Sequence, residues 1–249
     1  MLVMSSFGAT LQNQTSDALA ISLAQQAIAA LTGGTTVNDV TLTADVISIL
    51  GSDRDTGTAV FRAKGSSKSR VDIHLRGGTR TDARTLTNGV PTGAWQKNGG
   101  KAFPHAQHNT WTDAVWFFPA FSSLSQTASP NFMFKYVGQE QHAGLSTQHL
   151  QVYQTLPSAS ATLQRISTVD LYLDPVSFLP SATSFSVHAD NDVNTSISNE
   201  IRYSNYQPVS GVLVPFHFQQ IFNGGVVLDV TVTKASFNAG LPDNLFVLP

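Results

Sequence analysis

A chain of 249 residues with 16 acidic and 14 Lys/Arg side chains carries a formal charge of -2, and only 12% of its residues are charged. This balance lacks the basic patch of a nucleic-acid binder, and no run of about 18 apolar residues is present to cross a membrane as a helix. Cysteine is absent, which excludes disulfides, thiolate catalysis and zinc–thiolate sites.

The charged share is about half the ~25% usual for globular proteins. Ser, Thr, Asn and Gln, with 18 Gly and 11 Pro, supply polarity and turns instead. Such a surface fits an extracytoplasmic β protein. The opening residues, Met1 to Asp17, have no basic n-region and only a fragmentary apolar run, so this chain contains no complete signal peptide. The expectation is a periplasmic or otherwise extracytoplasmic protein whose signal has been removed. A β domain of ~200–250 residues is common, and with no linker or internal repeat visible, one domain over 1–249 is expected. Residues 1–15 are expected to form a flexible N-terminal segment.

The first element is a helix over 16–32. Ser16 is placed as N-cap and Asp17 at the positive end of the dipole. Leu19, Leu23, Ala27 and Leu31 recur every four residues, Ile21 and Ile28 widen the stripe, and Gly33-Gly34 ends it. From Val40 the period changes to two. Strands are expected over 40–50, 57–65 and 69–78, more weakly over 79–89 and 91–100, then over 131–144, 146–156, 168–174, 178–189 and 226–238. Residues 201–220 read as a half-buried hairpin turning at "PVSG" (208–211). Pro215 cannot donate to a ladder, which places its strand on an edge or at a bulge. Such regular spacing is that of an antiparallel barrel or sandwich.

Between the halves lies "FPHAQHNTWTDAVWFFPAFSSL" (103–124), with two of the three tryptophans and four phenylalanines. A short helix is expected here, capped by Thr112 or Asp113 and interrupted near Pro119. Aromatics at this density either bury against the sheet or contact a ligand.

Motifs for chemistry are few. His105 and His108 stand at i and i+3, but Pro104 favours a loop and no Glu lies between them as in H-E-x-x-H. "DNDVNT" (190–195) opens like a calcium loop through Asp190, Asp192 and Asn194, yet Thr195 stands where Gly is needed and Ile201 where a bidentate Glu belongs. A polar hairpin tip is the better reading. No G-x-S-x-G elbow, G-x-G-x-x-G or Walker sequence is present, so no catalytic residue, cofactor or metal is assigned. A hydrolase would require a Ser or carboxylate within reach of a His in a cleft, with His74, His142, His149, His188 and His217 available.

The C-terminal half carries a resemblance. "DLYLDPVSFLPSATSF" (170–185), "EIRYSNYQPVSGVLVPF" (200–216) and "LPDNLFVLP" (241–249) resemble the LolA/LolB-like superfamily of periplasmic lipoprotein carriers and receptors. Asp174, Leu179, Pro180, Tyr203, Tyr206, Gly211, Pro215, Phe246 and Pro249 stand at matching places, and the helix ending in Gly33-Gly34 matches the usual opening. Arg70 is kept without the Pro that usually precedes such an Arg. The carrier's extra C-terminal strand and the receptor's lipobox Cys are missing. The resemblance implies a mainly β, α+β fold: an unclosed antiparallel barrel of about eleven strands around an N-terminal and a short central helix. It also implies an apolar concave cavity that binds a lipid, a lipoprotein acyl chain or another hydrophobic ligand without catalysis. Trp111, Trp116, Phe117, Phe118 and Phe121 are the expected ligand-binding wall or lid, although packed core is the competing role for them. The alternative is an envelope structural or interaction domain with a self-filled interior. An envelope protein at an open sheet edge is a further expected partner.

Overall fold

The computed structural model describes residues 15–156 and 161–249. The expectation for residues 1–15 therefore lies, Thr15 apart, outside the described residues. The strands are β1 (Asp39–Leu50), β2 (Asp53–Lys64), β3 (Lys68–Leu75), β4 (Gly78–Thr87), β5 (Val90–Lys97), β6 (Phe103–Pro104) and β7 (Phe132–His142). They continue with β8 (Leu145–Gln154), β9 (Val169–Leu173), β10 (Pro180–Ala189), β11 (Asp192–Val209), β12 (Val212–Phe222) and β13 (Gly225–Phe237). All thirteen form one antiparallel sheet ordered β6-β5-β4-β3-β2-β1-β13-β12-β11-β10-β9-β8-β7. β6 and β7 end the sheet without pairing to each other, so the barrel is unclosed.

The chain walks outward from β1 to one edge and crosses through residues 105–131 to the other. It then walks back inward until β13 pairs with β1, as in Val46 opposite Val230. Strand alternation puts Val40, Leu42, Phe61, Ile201, Phe218 and Val230 on the concave face. The crossing segment lies against that face and supplies Val115, Phe117, Phe118 and Phe121 to the same core. A second core forms where Ala20, Leu23, Ala24 and Ala27 of helix α1 (Ala18–Thr32) meet Phe134, Leu150, Leu171 and Phe185. Each half of the sheet is thus covered by a different element, and Ile28 and Trp116 touch both cores.

The start of α1 differs from expectation. Ser16 does not cap it, and Asp17, the residue at the N-cap, makes no side-chain capping bond. Both side chains are drawn to the unpaired edge of β7: Ser16 Oγ accepts from Phe134 N (3.0 Å) and Asp17 Oδ2 from Tyr136 N (2.9 Å). An edge strand offers free N–H groups, and satisfying them outweighs the cap. The buried stripe also rotates, since Leu19 is 51% exposed while Ala20 and Ala24 are buried. Alanines there let the helix sit close to the sheet.

No α-helix forms over 112–124. Residues 107–109, 119–121 and 123–126 make 3₁₀ turns instead. Every residue from Phe117 to Leu124 is buried, and a helix, which buries one stripe, cannot satisfy such a run. A short helix α2 (Ala161–Ser167), which the sequence pattern does not predict, precedes β9.

Pro215 does not mark an edge strand, because β12 lies between β11 and β13. Its ladder to β13 begins only at His217, while Pro215 pairs with Tyr206 of β11. The missing N–H therefore falls where β12 is paired on one side alone.

The residues carrying the family resemblance serve packing. Tyr206 Oη donates to Pro180 O (2.8 Å), and Tyr203 Oη donates to Trp116 O, tying β11 to the crossing segment. Burial pushes both phenols well above their ordinary pKa. Gly33 has φ +55°, and a Cβ there would lie 2.8 Å from Gly211 O. Two glycines thus let the end of α1 reach the β11–β12 turn. Arg70 pairs with Asp72 (2.9 Å) and donates to Leu245 O (3.2 Å), holding the C-terminal segment whose Phe246 is buried.

Candidate functional site at the seam of the sheet

A cavity of about 310 Å³ opens between the two free ends of the sheet. Arg84 and Leu86 of β4 and Pro91 and Thr92 of β5 line one side; Phe132 of β7, Val152 and Gln154 of β8 and Val169 of β9 line the other. The crossing segment supplies Thr110–Ala114 and Ser123 between them. The volume falls at the lower end of the ~300–1,000 Å³ of small-molecule sites.

Backbone and side-chain bonds fix this segment. Thr110 Oγ1 donates to Pro91 O (2.9 Å), Gln154 Nε2 to Trp111 O (3.0 Å), and Asn109 bonds both ways with the backbone of His188 (2.7 and 2.8 Å). Asp113 does not cap a helix. Its carboxylate accepts from Ser123 N (2.9 Å) and Ser123 Oγ (3.3 Å), closing a ten-residue loop around the buried aromatics. Burial raises Asp113 to about 6, against the opposing pull of those bonds and of the Arg84 charge. Burial likewise lowers Arg84 from its ordinary value, opposed by Asp82 and Asp113.

Of the five expected ligand residues, Trp111 lines the cavity. Phe117 and Phe118 are 0% exposed and Phe121 is 7% exposed, all within the core. Trp116 packs edge-on against Phe61 (5.9 Å) and Phe218 (6.0 Å). The concave interior beneath the crossing segment is filled by these side chains, and the open volume lies at the seam. Arg84 and Thr112, which floor that volume, carry no sequence signal as a pair. Arg84 lies in the weakly patterned strand of residues 79–89, and only the topology brings it to the crossing segment.

The remaining candidates have separate surroundings. His105 Nε2 meets Asp82 Oδ2 (3.0 Å), whereas His108 Nε2 bonds Ala189 O (3.0 Å), so the two imidazoles serve different strands. At the 190–195 tip, Asp192 accepts from Asn194 N (2.8 Å) and Thr195 Oγ1 (2.6 Å). This is the local turn bonding expected of Asp. No group of three or more His, Cys, Asp or Glu suited to a metal occurs among the described residues.

On the face opposite the core, Ser204 Oγ lies 2.8 Å from His217 Nδ1, and His217 Nε2 lies 3.1 Å from Asp229 Oδ1. A second cavity of about 230 Å³ adjoins Ser204 and His217. The order Ser–His–Asp is that of a nucleophile relay, but Ser204 sits inside the β11–β12 ladder opposite His217. Gln219 Nε2 also claims Asp229. The set is a cross-strand polar cluster.

An unclosed sheet wrapped on helix α1 and the crossing segment, with a cavity at its seam, defines a half-barrel. No protein-family model and no curated protein matches the sequence. The fold is similar to that of a putative outer membrane lipoprotein-sorting protein domain from Vibrio parahaemolyticus (TM-score 0.58, 11% identity, 92% of this chain and 96% of that one). It is also similar to a LolA superfamily protein from Nitrosomonas europaea (TM-score 0.53, 12% identity, 92% and 97%). A DUF1329 family protein from Desulfovibrio piger shares it as well (TM-score 0.60, 10% identity, 94% and 98%). The architecture implied by the sequence resemblance is thus present, with thirteen strands rather than eleven.

Proposed function

We propose that the protein is a non-catalytic, extracytoplasmic binding protein for an amphiphilic or hydrophobic ligand, a lipid or an acyl chain, held in the cavity at the seam. The observation that carries this reading is the cavity itself. It lies where two sheet ends converge and is bordered by Trp111, Phe132, Val152, Leu156 and Val169. The fold shared with a lipoprotein-sorting domain supports a ligand of that class and a periplasmic setting. Trp111 contacts the ligand; Trp116, Phe117, Phe118 and Phe121 form the packed wall behind it. At ~25 cal/mol per Å², apolar contact alone discriminates little among chains.

Native mass spectrometry of the purified protein, with organic extraction of whatever is retained, tests the reading. A co-purifying lipid, and quenching of Trp fluorescence by added short-chain lipids that Trp111→Ala weakens, are the expected results. A clean protein mass with no fluorescence response favours the second reading, an envelope interaction domain. The packed interior around Phe117 and Phe118 is the observation on that side.

A further inference from the structure

Among the described residues Arg84 is the only cationic side chain in the cavity lining, and its surroundings have left room for it. Strand alternation sends it to the concave face, and the residues paired beside it across the sheet are Ala63, Ser69 and Gly93, all small. Gly93 has no latitude to be larger. A Cβ there would lie 2.8 Å from His105 Cδ2 and 3.2 Å from Arg84 Cγ.

The guanidinium makes no ion pair among the described residues, and its Nη1 is buried without a hydrogen-bond partner. Thr112, also in the lining and 7% exposed, has an equally buried and unpartnered Oγ1. The two acids whose charges act on Arg84 are engaged elsewhere. Asp113 is held by Ser123, and Asp82 by His105 at 3.0 Å and Arg80 at 4.0 Å. A buried donor left unmade costs about 1–3 kcal/mol, more when charged. Folded proteins keep few such groups, and an ordered water, an ion or a functional role accounts for those they keep.

We propose that Arg84 and Thr112 form an anion site that holds the carboxylate or phosphate oxygens of the bound ligand. The inference rests on the cavity being the ligand site. It adds that the ligand is an anionic amphiphile, head on Arg84 and Thr112, tail along Trp111, Phe132, Val152 and Val169. The guanidinium supplies planar, charge-assisted donors suited to either oxyanion.

The test uses the full chain at pH 7.5, with decanoate, decyl phosphate, methyl decanoate and inorganic phosphate titrated by calorimetry. The two anionic amphiphiles are expected to bind about 10–100-fold more tightly than the ester, the range of one or two charge-assisted bonds. Arg84→Met should bring them to the ester's affinity. Thr112→Val, a smaller change that serves if the first variant misfolds, should narrow the gap about tenfold or less. Equal binding of acid and ester by the unaltered protein overturns the anion site and leaves the amphiphile reading standing. Arg84-dependent binding of inorganic phosphate with no gain from a decyl chain upholds the anion site and sinks the amphiphile reading. No binding of any of the four removes both.

Discussion

Replacing Asp113 by Asn isolates the electrostatic cost of the loop that carries the cavity floor. The carboxylate titrates at about 6 in the folded protein, against 3.8 ordinarily, because burial opposes its charge. A raised carboxylate favours the folded state most when protonated. Its contribution is therefore complete below about pH 4 and is lost as pH rises through 6. The rise of about two pH units corresponds to a loss of about 3 kcal/mol by pH 7.5, an upper figure because the group borders an open cavity. The amide of Asp113→Asn would keep an oxygen to accept from Ser123 N and would carry no charge at any pH. Urea unfolding of both proteins at pH 4, 5, 6 and 7.5 reads the difference, with effects of all other groups cancelling. Asp113→Asn should match the parent near pH 4 and exceed it by up to about 3 kcal/mol at pH 7.5, or several degrees in Tm. A difference that stays flat with pH, or a variant less stable at pH 7.5 than at pH 4 relative to the parent, would refute the argument that desolvation dominates at Asp113.

Two other perturbations probe the packing behind the site. Gly33→Ala forces a Cβ into a left-handed conformation 2.8 Å from Gly211 O; a loss of about 1–3 kcal/mol in urea unfolding is expected, with binding intact. Phe118→Ala empties a fully buried site between Phe121 (5.2 Å) and Phe237 (5.9 Å). It should cost about 3–5 kcal/mol, and a loss under 1 kcal/mol would mean that the crossing segment is not packed as described.

Where chemistry is local, the sequence is readable. The period-two runs of 40–50, 146–156 and 226–238 match β1, β8 and β13 within two residues at either end, because one buried face forces alternation. Gly33-Gly34 stops the helix as its sequence implies. The positions that depart from expectation are those where a distant element intervenes. Ser16 turns from a cap to an edge-strand acceptor because β7, more than a hundred residues away, needs it. The 117–124 stretch forms no α-helix because every residue of it is buried, more than one helical stripe can satisfy. Arg84 and Thr112 are invisible as a pair for the same reason: neither has a local pattern, and their shared burial arises only once the chain has crossed between sheet ends.

The route of the chain through the sheet has a consequence during synthesis. β1 acquires its second neighbour only when β13 is made, since the two central strands pair across most of the sequence. At ~5–20 residues per second, the interval is roughly ten to forty seconds. Throughout it, Val40, Leu42, Ala44 and Val46 lie on a strand with one open ladder, ready to template a neighbouring chain. The protein is therefore most vulnerable to aggregation before its last hairpin emerges, and a chaperone that shields β1 over that interval would raise the yield of folded molecules without touching the finished structure.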